Sequence, residues 1–207
     1  MQDDLRLICE RAASEGRKID LTGCNYGETT GPLPFIKRPT NYYYFLAGFV
    51  NSMRMKSILE IGTHFGGAIM SMKRGLRPED TPGGKLVTVD IVCKNSDGFR
   101  EYPDIKRITG DSLNADVTER VCEYLNGSVD LIYIDSLHEY RHTQKNIDIY
   151  AGRLNPRYIA LDDIRQCDSM ARLWKDLLAE FKENAFDASS ISVRKGAGFG
   201  IIKWRKT

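Results

Sequence analysis

Residues Leu59-Glu60-Ile61-Gly62-Thr63-His64-Phe65-Gly66-Gly67-Ala68 run from an apolar strand through a carboxylate into a glycine turn and then a helix. No other stretch constrains the fold as much, because strand, tight turn and helix in succession build the ligand crevice of an open α/β sheet. Glycine lets the backbone turn sharply and come close to a ligand. The pattern also excludes ligands. A dinucleotide fingerprint, G-x-G-x-x-G, needs a glycine at its second position to admit a pyrophosphate, and that position is His64. A triphosphate loop ends in Gly-Lys followed by a hydroxyl residue, whereas Gly66 is followed by Gly67 and Ala68. What remains is E-x-G-x-x-x-G.

From Ser57 onward apolar strands alternate with amphipathic stretches, the order of a mostly parallel sheet with helices on both faces. Strands are expected at Ser57–Ile61, Lys85–Ile91, Ile105–Thr109, Val129–Ile134 and Tyr158–Leu161. Helices are expected at Gly67–Leu76, Asp116–Leu125, Tyr140–Tyr150 and Ser169–Phe181. Two last β segments, Ser190–Val193 and Phe199–Ile202, read as a closing antiparallel hairpin joined through Lys195-Gly196-Ala197-Gly198.

Ahead of the sheet, Asp3 or Asp4 caps a first helix carrying Leu5, Ile8 and Ala12 on one side. Gly23, Gly27, Gly31, Pro32 and Pro34 then mark an irregular stretch. A second helix from Thr40 or Asn41 carries Tyr42, Tyr43, Tyr44, Phe45, Leu46, Phe49 and Val50, too many large groups for one stripe, so it packs on more than one side. Residues 1–56 are read as an N-terminal helical extension giving a substrate lid or contacts in a homodimer, and residues 57–207 as the ligand-binding domain.

The 207 residues are enough for one well-buried domain with a modest extension. A formal charge of only +2, with basic and acidic residues interspersed, gives no footprint for nucleic acid. Five cysteines, Cys9, Cys24, Cys93, Cys122 and Cys167, lie far apart with no C-x-x-C pair, and their odd number cannot close fully into intrachain disulfides. Reduced thiols are the simpler reading. No basic-then-apolar leader and no membrane-length apolar run occurs, so a soluble, cytoplasmic protein without a membrane partner is expected.

Glu60, Asp90, Asp111, Asp135 and Asp162 each stand at or just after the carboxyl end of an expected parallel strand. In such sheets those ends open on one crevice. A lone strand-end acid is an ordinary turn or cap residue, but five together repel one another unless a cationic ligand, hydroxyl donors or a metal offset them.

On these motifs the chain, from Thr40 to Lys203, resembles the class I S-adenosylmethionine-dependent methyltransferases. Within them it is similar to small-molecule O-methyltransferases of the catechol and macrolide-sugar kinds and to cephalosporin-hydroxylase-like relatives. The resemblance implies a Rossmann-like, mostly parallel seven-stranded sheet with helices on both faces and a C-terminal antiparallel hairpin. It implies that Glu60, Gly62, Thr63, His64 and Gly66 form the loop around the methionine part of S-adenosyl-L-methionine. Asp90 would bind the ribose hydroxyls, and Gly110-Asp111-Ser112 would make the adenine-contacting turn. Ala68 departs from the family's frequent serine, which removes one possible cofactor hydrogen bond.

In metal-dependent relatives an aspartate after strand four and an acidic or amide pair after strand five hold a divalent cation; the matching positions are Asp135, Asp162 and Asp163. Oxygen ligands favour Mg²⁺, then Mn²⁺ or Ca²⁺. Asp135 is thus expected to serve cofactor, metal and catalysis together. His138 stands at the offset where catechol-type relatives carry a basic lysine, and imidazole, titrating near neutrality, suits proton removal from an acceptor hydroxyl. Alternatives are transfer to nitrogen, a cofactor-binding module without turnover, and a metal-dependent hydroxylation or hydrolysis.

Overall fold

The computed structural model describes residues 4–27, 37–92, 94, 97–194 and 196–204. The expectations placed on Asp3, Gly31, Pro32, Pro34, Cys93 and Lys195 lie outside the described residues. Seven strands form one sheet: β1 (Ser57–Ile61), β2 (Lys85–Asp90), β3 (Ile105–Thr109), β4 (Leu131–Ile134), β5 (Tyr158–Asp162), β6 (Ala185–Asp187) and β7 (Phe199–Lys203). Their order is β3-β2-β1-β4-β5-β7-β6. The first five strands pair in parallel, and β7 lies antiparallel between β5 and β6. The strand order reverses between β1 and β4, the point at which a crevice opens at the carboxyl ends.

Helices cover both faces. On one lie α1 (Leu5–Gly16), α2 (Asn41–Ser52) and α3 (Gly67–Gly75), sharing a core with Ile58, Tyr133, Ala160 and Ile201. On the other lie α4 (Ala115–Leu125), α5 (Tyr140–Asn146), α6 (Gly152–Leu154) and α7 (Asp168–Phe181), packed on Leu59, Ile61, Ile132, Ile134 and Ile202. Adjacent strand residues go to opposite faces because the strand period is two. The same alternation puts Glu60, Thr88 and Tyr133, side by side in the register of β2, β1 and β4, on one face.

Asp4, through its carboxylate, caps α1 at the Arg6 amide. Helix α2 has no free apolar face: Tyr42, Tyr43, Phe45, Leu46, Phe49 and Val50 are all buried. Helix α1 closes one side of it at short range, for a Cβ on Gly48 would stand 1.9 Å from the Ala12 carbonyl oxygen. Those side chains are spent on the chain's own core, with Tyr44 partly buried against it.

Two elements differ from expectation. Ser190–Val193 is no strand; the sixth strand is Ala185–Asp187. Asp187 accepts from the Ser189 amide and hydroxyl, and the Ser192 amide returns to the Ala188 carbonyl, so local side-chain bonds turn the backbone where the apolar alternation called for extension. The expected helix Tyr140–Tyr150 is α5 followed by a π turn, Ile147–Ala151, and α6. An extra residue in that turn is a distortion that recurs near functional sites.

Candidate active site

The strand ends open on a cavity of about 700 Å³. Its wall includes Glu60, Gly62, Thr63, His64, Asp90, Asp111, Ser112, Asp135, His138 and Asp163. Two expected residues are not in this wall. Gly66 instead starts α3 in a left-handed conformation, φ 81°, against Phe99. Asp162 lies beneath the surface, 1% exposed.

Gly62 makes the loop's close approach possible. Its φ is 99°, and a Cβ there would fall 1.8 Å from the Asp135 carbonyl oxygen. His64 also takes a left-handed conformation, φ 47°, and its amide donates to Asp90 Oδ2 at 2.8 Å. Burial, then Lys94, lowers the pKa of the His64 ring. Asp90 Oδ1 accepts from the Val92 amide at 3.1 Å, yet each carboxylate oxygen keeps a further lone pair for a ligand. Asp111 closes its own turn by accepting from the Leu113 amide at 2.9 Å, and the Ser112 carbonyl accepts from Tyr150 at 2.8 Å.

Glu60 is fully buried. Thr88 donates to its Oε2 and a backbone hydrogen bond from Ile69 favours the ionised form, while Oε1 is buried with no close hydrogen-bond partner. Burial pushes the Glu60 pKa well above the usual carboxylate range, and Asp135 and Asp90 push it the same way. A buried, unmatched acceptor on a cavity wall is a place prepared for a donor or cation.

At the other end three carboxylates gather. Asp135 accepts from the fully buried Tyr133 hydroxyl at 3.0 Å. Burial and then Asp163 raise its pKa to about 6, against the opposing Tyr133 bond. Asp163 has φ 56°, a left-handed turn that sends its carboxylate into the cavity. His138 Nε2 stands 3.3 Å from Asp163 Oδ2 and 3.9 Å from Asp135 Oδ1. Asp135, His138 and Asp163 thus bring three ligand-type atoms within 4.8 Å of one another.

The expected metal set of Asp135, Asp162 and Asp163 is not what the structure assembles. Arg194, which the sequence reading passed over, donates Nε to Asp162 Oδ1 at 3.1 Å and Nη2 to Asp162 Oδ2 at 3.0 Å. The same Nη2 donates to Asp163 Oδ1 at 2.8 Å. Both Asp162 oxygens are paired with Arg194 and the carboxylate is buried behind the cavity wall, while His138 occupies the third corner beside Asp135 and Asp163. Burial works against the Arg194 charge, but Asp162 outweighs it and the guanidinium pKa is raised. Burial, Asp135 and Asp163 all push the Asp162 pKa upward, with Arg194 opposing them. The guanidinium also lies over the Tyr42 ring, 4.6 Å from its centroid. Tyr42 and Tyr43, expected as core or as a lid, serve both ends, buried yet lining the cavity.

A family model described as "Methyltransferase domain" matches residues 59–164. The chain belongs to this methyltransferase family. Its matched span runs from β1 through β5, the part that carries the glycine loop and every strand-end acid. No curated protein sequence matches the chain. Among solved structures, the fold is similar to the O-methyltransferase TomG from Streptomyces achromogenes, involved in tomaymycin synthesis and in complex with SAM, with TM-score 0.66, 15% identity and 100% of both chains covered. It is also similar to an O-methyltransferase from Bacillus cereus in complex with SAH, with TM-score 0.60, 19% identity, 98% of this chain and 92% of that one. A third likeness is to the MycE methyltransferase from the mycinamycin biosynthetic pathway in complex with Mg, SAH and mycinamycin VI, with TM-score 0.56 and 16% identity, covering 99% of this chain and 54% of that one. At these identities the likenesses establish the fold. The methyltransferase resemblance and the seven-stranded architecture expected from the sequence both hold. No helix among the described residues is long and apolar enough to cross a membrane.

Proposed function

We propose that the chain transfers the methyl group of S-adenosylmethionine to a hydroxyl of a small molecule bound in the same cavity. One observation carries this reading: Glu60, Asp90, Asp111 and Asp135, from the ends of four neighbouring strands, converge on a single cavity in a methyltransferase-family chain. A volume of about 700 Å³ is within the usual range for ligand sites and leaves room for donor and acceptor side by side. Glu60, buried with an unmatched oxygen, suits the methionine ammonium; Asp90 suits the ribose diol; the turn at Asp111 and Ser112 suits the adenine.

The acceptor oxygen attacks the methyl carbon, the new C–O bond forms as the C–S bond breaks, and sulfur keeps the electron pair as S-adenosylhomocysteine leaves. The chain's task is alignment and removal of one proton. His138 takes that proton, and Asp163 and Asp135 stabilise the imidazolium that results. A divalent cation fits this end of the cavity, because Asp135 and Asp163 present carboxylate oxygens beside an imidazole and the cluster carries more negative than positive charge. When bound it would supply a Lewis acid that eases deprotonation of the acceptor. Support for a small-molecule acceptor and for the ion comes from MycE, whose complex contains Mg and mycinamycin VI. Cys9, Cys24, Cys122 and Cys167 are free thiols, which suits a reducing compartment such as the cytoplasm.

The test is incubation with methyl-labelled S-adenosylmethionine and a panel of catechols, sugars and other vicinal diols. Label appearing in a methyl ether, with stoichiometric S-adenosylhomocysteine, supports the reading. Binding of the donor without transfer to any member favours a non-catalytic module, and label on nitrogen favours the N-methyl alternative.

A further inference from the structure

We infer that Arg194 is a resident cation that withholds Asp162 from any bound divalent ion, leaving a two-carboxylate site, Asp135 and Asp163, whose affinity Arg194 sets. The inference deepens the methyl-transfer reading above and rests on it. Three aspartates this close would form a strong cation site if all were free, since oxygen donors and accumulated charge are what Mg²⁺ and Mn²⁺ require. They are not all free. Arg194 meets Asp162 in the paired geometry that makes guanidinium–carboxylate contacts strong and directional, at 3.1 and 3.0 Å, and Asp162 is sealed from the cavity.

The arrangement is built by the fold. Because β7 runs antiparallel to β5 and pairs Phe199 with Asp162, the segment just before β7 must pass over the carboxyl end of β5. That segment is fastened: the Arg194 amide donates to the Ser189 carbonyl at 2.9 Å, the Gly198 amide to the Arg194 carbonyl at 2.8 Å, and the Asp163 amide to the Gly198 carbonyl at 3.0 Å. The guanidinium is backed by the Tyr42 ring on α2, so it is held from both sides. Its second contact, to Asp163 Oδ1, leaves Oδ2 directed toward His138 and Asp135. A dication on Asp135 and Asp163 therefore meets a fixed positive neighbour, which weakens its binding, while Asp162 contributes no ligand atom.

The experiment is a Mn²⁺ titration of the full chain followed by electron paramagnetic resonance, with S-adenosylhomocysteine binding measured by calorimetry on the same samples. Asp162→Asn is expected to bind Mn²⁺ within about fivefold of the native chain, and Asp135→Asn to lose binding. Arg194→Met is expected to bind at least about tenfold tighter, because a unit charge a few ångströms away has been removed and a third carboxylate freed. Should Arg194→Met fold poorly, Arg194→Lys keeps the charge but not the paired contact and is expected to fall between native and Met. Loss of Mn²⁺ in Asp162→Asn equal to that in Asp135→Asn overturns the inference. So does unchanged or weaker binding in the Arg194 variants, or no Mn²⁺ binding by any of the proteins. If S-adenosylhomocysteine still binds in those cases, the methyl-transfer reading stands; if it does not bind the native chain, that reading fails first.

Discussion

The hydroxyl of Tyr133, on β4, donates to Oδ2 of Asp135 two residues further along, at 3.0 Å. Residues two apart share a face, so the strand's own alternation carries a core tyrosine up to an acid on the cavity wall. This bond opposes the burial and the Asp163 charge that raise the Asp135 pKa to about 6. Tyr133→Phe removes the bond and raises that pKa further. In the proposed mechanism Asp135 acts as an anion, so the acid limb of the kcat/KM profile should move to higher pH. An unmoved limb would show that Asp135 does not titrate in the productive complex.

His138 offers a sharper separation of roles. His138→Gln removes the proposed proton acceptor and leaves the proposed cofactor half of the cavity untouched. Methyl transfer is expected to fall by roughly 10²-fold or more, with S-adenosylhomocysteine affinity nearly unchanged. Equal losses in both would mean that His138 shapes the pocket instead of moving a proton.

Glu60 is predicted to change its protonation when ligand arrives. Burial raises its pKa well above the usual carboxylate range and so favours the neutral form, whereas an ammonium placed against Oε1 favours the ionised form. Binding of S-adenosylhomocysteine should therefore release a proton, seen as a calorimetric heat that differs between buffers of different ionisation enthalpy. Glu60→Gln should abolish that buffer dependence and weaken binding about tenfold or more. Buffer-independent heat in the native chain would contradict the prediction.

Asp130 gives a pH test remote from the site. Burial alone would raise its pKa, but the Lys56 and Ser57 amides and Arg157 outweigh it and hold the carboxyl below the ordinary 3.8. The amide contacts are 2.8 and 3.1 Å. A depressed folded-state pKa stabilises the fold fully above the unfolded value and loses that contribution as pH falls through the folded one. Asp130→Asn should cost roughly 2 kcal/mol at neutral pH, with the gap to the native chain closing below about pH 4. Denaturant titrations at several pH values measure it, and a gap constant with pH would refute the assignment.

The parallel strands were legible because each carries inward apolar residues and ends at a glycine or an acid, and β3, with only Ile105 and Ile108 facing in, still has the expected bounds. The cavity acids were legible for the same reason, since a strand-end position dictates where a side chain emerges. Arg194 was not. A single arginine in a glycine-flanked loop has no periodic or motif signal, and only the pairing of β7 with β5 reveals that the loop overlies Asp162. The misplaced sixth strand hid that relation, because Ser190–Val193 alternates like a strand while Asp187 and Ser189 bond locally instead. Nothing in the strand pattern singles out Tyr133 for a similar reason: its hydroxyl matters only through the acid beside it.

The contact of α1 with α2 at Gly48 bears on how acceptors are chosen. Wedged at backbone distance against α1 on one side and seated on the sheet on the other, α2 holds Tyr42 and Tyr43 in place by packing alone. On the proposed methyl-transfer reading, acceptors are sorted by their outline against these two rings, and broadening their range requires trimming Tyr42 or Tyr43.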